Sequence, residues 1–292
     1  MSLFPVFLVI CSAFMHAGWN LLARRQRSER IFFARMNIII IVVGFLPFLI
    51  SEVMTRSIPA AAWICVSGSG LCCGVYTFCL ARSYELADFT VTYPVARALP
   101  VLLIGVGDVL LGKSLSVAGW AGLALVAAGC FFAPLHSFRE IHFRRYISKA
   151  SFWMVLTALC TVGYSMLDKK AAEVIVRTGP ATAARYGYAF FFVAGMIYHT
   201  LLWLLGNNNL KGNKIGWKSP FWAACFLFGA YWLVLWAFQL SEQASYVVAF
   251  RQFSIIVGVV LAFLLYKERG LVVRLSGTVM ITLGLVLIGI WG

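Results

Sequence analysis

The sequence predicts an all-α membrane protein: ten transmembrane helices arranged as two inverted five-helix repeats. Three observations predict this. Hydrophobic residues make up 62% of the 292 and charged residues only 12%, where soluble domains carry roughly 25% charged residues. The apolar residues gather into ten runs, at 3–23, 31–52, 60–82, 89–112, 115–135, 150–168, 180–205, 219–240, 245–266 and 271–291. Each is close to the roughly 20 residues a helix needs to cross a bilayer. Short motifs also recur in the same order. His16-Ala17-Gly18-Trp19-Asn20 is echoed by Thr161-Val162-Gly163-Tyr164-Ser165, Ala34-Arg35 by Ala184-Arg185, and Gly122-x6-Gly129 by Gly277-x6-Gly284. Order-preserving similarity of this kind marks a duplicated bundle, and an odd number of spans per copy forces the copies into opposite orientations.

The runs are continuously apolar, without the alternation of a membrane β-barrel. Span one has no basic residue before it and is followed by further helix, so it is expected to stay in place rather than be cleaved as a signal peptide. Span three contains Gly70 and Gly74, a GxxxG pair. The glycines of spans five and ten lie two turns apart on one face, where small residues let backbones approach closely. Packing within the chain is the expected use of these faces, with a homodimer contact as the alternative. The polar segment 136–149 is expected to connect the repeats, giving domains 1–140 and 148–292. Gly206-Asn207-Asn208-Asn209 ends span seven.

The formal net charge is +14, but the basic residues cluster at run ends rather than on a nucleic-acid-binding face. About 15 Lys and Arg flank the odd-numbered loops and 5 the even-numbered ones. By the positive-inside rule the odd loops face the cytoplasm and both termini lie outside, in a cell inner (plasma) membrane. The eight cysteines all fall inside apolar runs without C-x-x-C spacing, which points to packing rather than to metal. There is no Gly-rich phosphate loop, metal-ligand cluster or paired-carboxylate constellation, so no enzyme activity and no cofactor are expected.

An ionisable side chain at the bilayer centre costs roughly 2.5–3.5 kcal/mol on insertion scales, so each one calls for a reason. Arg97 and Arg251 lie deep in spans four and nine. Tyr93 and Arg97 share a helix face, as do Arg251 and Ser254. A guanidinium grips a carboxylate or phosphonate through two parallel hydrogen bonds, so two of them facing one cavity would favour an anionic or zwitterionic small molecule. The competing reading is an internal ion pair with Glu85 or Glu242. In span one His16, Trp19 and Asn20 form a second polar group, matched in span six by Thr161, Tyr164 and Ser165 and extended by Asp168. These line a cavity or make interhelical hydrogen bonds, and His16 is also a candidate proton carrier. Trp232 or Tyr164 is expected along the path. Arg35 and Arg185, opening spans two and seven, read as anchors or braces.

The ten-span plan, the Gly-x6-Gly spacings and the segment Ala81-Arg82-Ser83-Tyr84-Glu85-Leu86-Ala87-Asp88-Phe89-Thr90-Val91-Thr92-Tyr93-Pro94-Val95-Ala96-Arg97 resemble the EamA family of the drug/metabolite transporter superfamily. His-Ala-x-Trp-Asn, Tyr-Pro-x-x-Arg and Arg-x-x-Ser resemble a branch found beside phosphonate-utilisation genes. The resemblance implies a secondary active transporter, an exporter or exchanger of a small anionic or zwitterionic metabolite, with an organophosphonate as one candidate. Its partners would be that small molecule and membrane lipid, with no nucleic acid. A lipid or lipid-linked flippase of the same superfamily is the first alternative, and a non-transporting membrane scaffold or sensor the second. Many members carry a proline in span nine where this chain has Arg251, and the family more often keeps its termini in the cytoplasm.

Overall fold

The computed structural model describes residues 2–24, 29–86, 89–135, 137, 149–205, 216–266 and 270–292. The described residues are helical throughout, with short turns between helices and no strand. In chain order the helices are α1 (Leu3–Arg24), α2 (Glu29–Thr55), α3 (Ala60–Leu86), α4 (Phe89–Leu110), α5 (Val117–Phe132), α6 (Lys149–Val174), α7 (Pro180–Leu205), α8 (Lys218–Leu240), α9 (Ala244–Arg251), α10 (Phe253–Tyr266) and α11 (Leu271–Trp291). Among the described residues eight helical segments are long and apolar enough to cross a membrane, and α5 is apolar but shorter. Large apolar side chains such as Val42, Ile64, Phe152 and Trp203 remain on the outside, as expected for a surface solvated by lipid. This is a multi-pass membrane protein.

The ninth run divides into α9 and α10 at Gln252, although Ala244–Leu261 together remain one candidate membrane span. The Gln252 N–H turns back to the carbonyls of Ala249 and Phe250, and the Ile255 N–H closes a three-residue turn on the Gln252 carbonyl at 2.8 Å. This tighter winding interrupts the α-helical ladder directly after Arg251.

Helix packing follows the duplication. α1 lies along α8 and α6 along α3, while α5 crosses α11 and α2 crosses α7. Exchanging α1 with α6, α2 with α7, α3 with α8 and α5 with α11 maps this set of contacts onto itself, the signature of a two-fold axis in the membrane plane. The repeated glycines meet across the α5–α11 crossing. A Cβ on Gly122 would lie 2.8 Å from the Gly284 carbonyl oxygen, and one on Gly129 2.6 Å from that of Gly277. Gly70 and Gly74 similarly bring α3 against α7, where added Cβ atoms would meet Val193 and Ile197. Both small-residue faces are therefore used inside the chain.

The face that carries the N-terminus is tied together across the repeats. Arg185 of α7 pairs with Glu52 of α2 at 3.3 Å and donates to Ser57 and Ser51. Glu52 also accepts from the Ile58 N–H, which fixes the α2–α3 corner. Asp108 at the end of α4 accepts the first free N–H groups of α9, from Ala244 and Ser245, and so caps a helix of the other repeat. Lys169 of α6 donates to the last carbonyls of α8 and pairs with Glu173, which also pairs with Lys113. Ser116 accepts from the Gly119 N–H at the start of α5 and donates to the Trp291 carbonyl.

Candidate functional site

Where the helices of the two repeats meet, a cavity of about 80 Å³ opens in the protein. It is lined from α1 by His16 and Trp19, from α4 by Arg97, from α6 by Tyr164, from α8 by Tyr231 and from α9 by Arg251, with Asn37, Cys73, Tyr76 and Thr77 completing its polar wall. Its volume is well below the roughly 300–1,000 Å³ of sites for drug-sized ligands, which restricts the occupant of this conformation to a small molecule. The wall reaches from mid-membrane toward the face opposite the N-terminus, because Asn37 lies eight residues into α2 and Leu80 six residues before the end of α3. The half nearer the N-terminal face is filled by side chains and the braces described above.

The two arginines enter this cavity differently. Arg97 Nη2 hydrogen bonds to His16 Nε2 at 2.6 Å, while Trp19 Nε1 donates to His16 Nδ1 at 3.1 Å. Guanidinium and indole N–H groups are donors only. An imidazolium can accept from neither of them, and a neutral ring from one at a time, because its other nitrogen carries a hydrogen. In the tautomer with its lone pair on Nε2, His16 accepts from Arg97 and steers it into the cavity. Arg251 stacks over the Tyr231 ring, its guanidinium carbon 5.3 Å from the centroid. A stacked guanidinium keeps its in-plane N–H groups available to a planar acid group.

Of the two carboxylates considered as internal partners for these arginines, Glu85 pairs with Arg82 on its own helix at 3.3 Å, and Glu242 lies exposed at the α8–α9 corner. Among the described residues Arg251 has no carboxylate within ion-pair distance.

Of the residues singled out in the sequence, the cavity gathers His16, Trp19, Arg97, Tyr164 and Arg251. Asn20 turns back to donate to the His16 carbonyl at 2.8 Å, and Thr161 donates to the Thr157 carbonyl at 3.0 Å. Ser165 and Ser254 are buried off the cavity, their hydroxyls without a partner among the described residues. Trp232 lies off it too, donating its indole N–H to the Pro180 carbonyl at 2.7 Å. Its neighbour Tyr231 takes the wall position. The side chain of Tyr93 lies outside the described residues. Arg185 is the brace expected of it, and Arg35 stacks over Trp217 at 5.0 Å. The cysteines are free thiols, Cys73 among them on the cavity wall.

Sequence reasoning missed α2 and α7 as lining helices. Asn37 was visible as the one amide within the apolar run 31–52, whereas Phe190, Phe191 and Ala194 carried no signal that separates a wall from a core.

This geometry, two helical repeats packed around a small polar cavity, defines a membrane carrier-like bundle. The chain belongs to the EamA-like transporter family, whose sequence model matches residues 3–134 and again residues 148–290. No curated protein sequence matches the chain. Among solved structures, one crystal structure, described only as that of a protein, aligns with a TM-score of 0.71 at 15% identity, covering 97% of this chain and 94% of its own. At that identity the likeness concerns the fold alone.

Proposed function

We propose that the protein is a secondary active transporter, an exporter or exchanger, of a small anionic or zwitterionic metabolite. An organophosphonate is the candidate best matched to two guanidiniums. The observation that carries this reading is the convergence of Arg97 and Arg251, one from each repeat, on a single cavity. Two guanidiniums at the bilayer midplane cost several kcal/mol unless they are put to use, and a bound acid group supplies charge-assisted hydrogen bonds to both. The inverted packing supports alternating access: the braces at the N-terminal face break as the repeats rock, and their counterparts form at the opposite face. By the distribution of Lys and Arg, that opposite face is cytoplasmic and the membrane is the plasma membrane. The cavity then leans toward the cytoplasm in this conformation.

The test is a thermal-shift screen of purified protein with methylphosphonate, glutamate, a nucleoside and choline. The proposal expects stabilisation by the acids and none by choline. Stabilisation by choline alone would overturn it.

A further inference from the structure

Beneath the cavity, toward the N-terminal face, the bundle buries a carboxylate that the anion site does not use. Asp168 follows Tyr164 by one turn of α6 and is 1% exposed. Its Oδ1 accepts from Ser69 of α3 and, at 2.8 Å, from the Tyr186 hydroxyl of α7, while its Oδ2 accepts from the Tyr231 hydroxyl of α8. Three helices therefore present neutral hydroxyls to it, and among the described residues no cation lies within ion-pair distance. A membrane carboxylate held this way is expensive unless its charge is part of the mechanism.

The hydroxyls around Asp168 accommodate both of its protonation states. With the carboxylate ionised, all three donate to it. With a proton on Oδ1, the Ser69 hydroxyl can instead accept from Asp168 and turn its own hydrogen toward the Tyr164 carbonyl, which lies 3.5 Å from Ser69 Oγ. No buried polar atom is orphaned in either state, so the exchange needs only a hydroxyl rotation. Tyr231 links this group to the substrate cavity. Its hydroxyl binds Asp168, its ring forms cavity wall, and Arg251 stacks on that ring. The titratable and charged groups facing Asp168 are Cys65, Cys72 and Cys73 from α3, Tyr186 from α7, Tyr231 from α8 and Arg251 from α9. From α4, which also packs on α6, Arg97 faces the same cavity.

We infer that Asp168 is an exchangeable-proton site that couples anion transport to proton movement, so that the anion and one proton travel together. This rests on the proposed anion site. Arg251 stacks on the ring of the tyrosine whose hydroxyl binds Asp168, so the charge at the guanidiniums and the charge at the carboxylate are linked through Tyr231. An acid group bound to the guanidiniums offsets their positive charge, so proton and anion each strengthen the binding of the other, by the same factor in both directions. The step is balanced: a proton from water on one side forms the O–H bond at Asp168, and that bond breaks when the proton returns to water on the other side.

The test follows the C=O stretch of a protonated carboxyl by infrared difference spectroscopy on the full chain in lipid, titrated with and without methylphosphonate. The inference expects a band that grows as pH falls, is absent in Asp168→Asn, and moves to higher pH when methylphosphonate is bound. Tyr231→Phe keeps the ring but removes one donor to the ionised form, and is expected to raise the proton affinity about tenfold; it serves also if Asp168→Asn does not fold. No titrating band, or the same band in Asp168→Asn, overturns the inference whatever binds in the cavity. A band that titrates but ignores bound methylphosphonate overturns the coupling and leaves the anion site standing. Failure of methylphosphonate to bind at all removes the anion site, and the coupling with it.

Discussion

Replacing Gly129 with alanine should destabilise this protein, although the same change at most helical positions is favourable. In a helix interior alanine is preferred to glycine by roughly 1 kcal/mol. At Gly129 the new Cβ would lie 2.6 Å from the Gly277 carbonyl oxygen, 2.6 Å from Ile281 Cγ1 and 2.8 Å from the Ile281 nitrogen. Two of these are backbone atoms, which cannot rotate away. The shortest contacts fall about 0.8 Å short of the 3.4 Å at which ordinary contact begins, so α5 and α11 must separate by most of that distance. The Gly122–Gly284 approach two turns away would open with them. Overpacking of this kind costs typically 1–3 kcal/mol, which exceeds the propensity gain. Gly258 of α10 provides the control, because nothing lies within 4 Å of a Cβ placed there. Gly258→Ala should be neutral or slightly stabilising. The assay is the thermal unfolding midpoint of each variant in one detergent. If Gly129→Ala matches or exceeds the parent protein, the close crossing of the two repeats is wrong.

The Glu52–Arg185 pair joins the repeats with both side chains 12% exposed, so Arg185→Ala strands Glu52 and should cost on the order of 3–5 kcal/mol; in a double-mutant cycle, adding Glu52→Gln should recover part of that loss, and purely additive effects would contradict the brace. Lys113 bonds Glu173, and this raises its pKa above the ordinary lysine value of 10.5. Its contribution is therefore complete below that value and fades only as pH rises through the higher folded-state pKa. With both side chains about a third exposed, Lys113→Ala should cost no more than about 1 kcal/mol, and the cost should be flat across neutral pH in unfolding midpoints. His16→Phe removes the ring nitrogen that holds Arg97 and should weaken methylphosphonate binding, as read by calorimetry; unchanged affinity would contradict that role.

The broad architecture was legible because its signals are local or periodic. Run length and continuity gave the helices, and the Gly-x6-Gly spacing gave a face that the structure places at the α5–α11 crossing. The division of the ninth run at Gln252 left no trace, because neither proline nor glycine marks it and the break consists of carbonyls shared within one turn. Trp232 and Tyr231 show the angular limit of such reading: one residue turns a side chain by about 100°, from cavity wall to the Pro180 carbonyl. The setting of Asp168 was beyond reach for another reason. Its partners Ser69, Tyr186 and Tyr231 come from three helices whose juxtaposition no sequence spacing encodes.

Equilibrium binding of radiolabelled methylphosphonate to the parent protein and to Arg251→Ala, at fixed pH and ionic strength, tests most directly whether the guanidiniums hold the cargo. Loss of a charge-assisted pair of hydrogen bonds predicts an affinity about 10- to 100-fold weaker in the variant, with the unfolding midpoint little changed. Equal affinity in the two proteins would contradict the account.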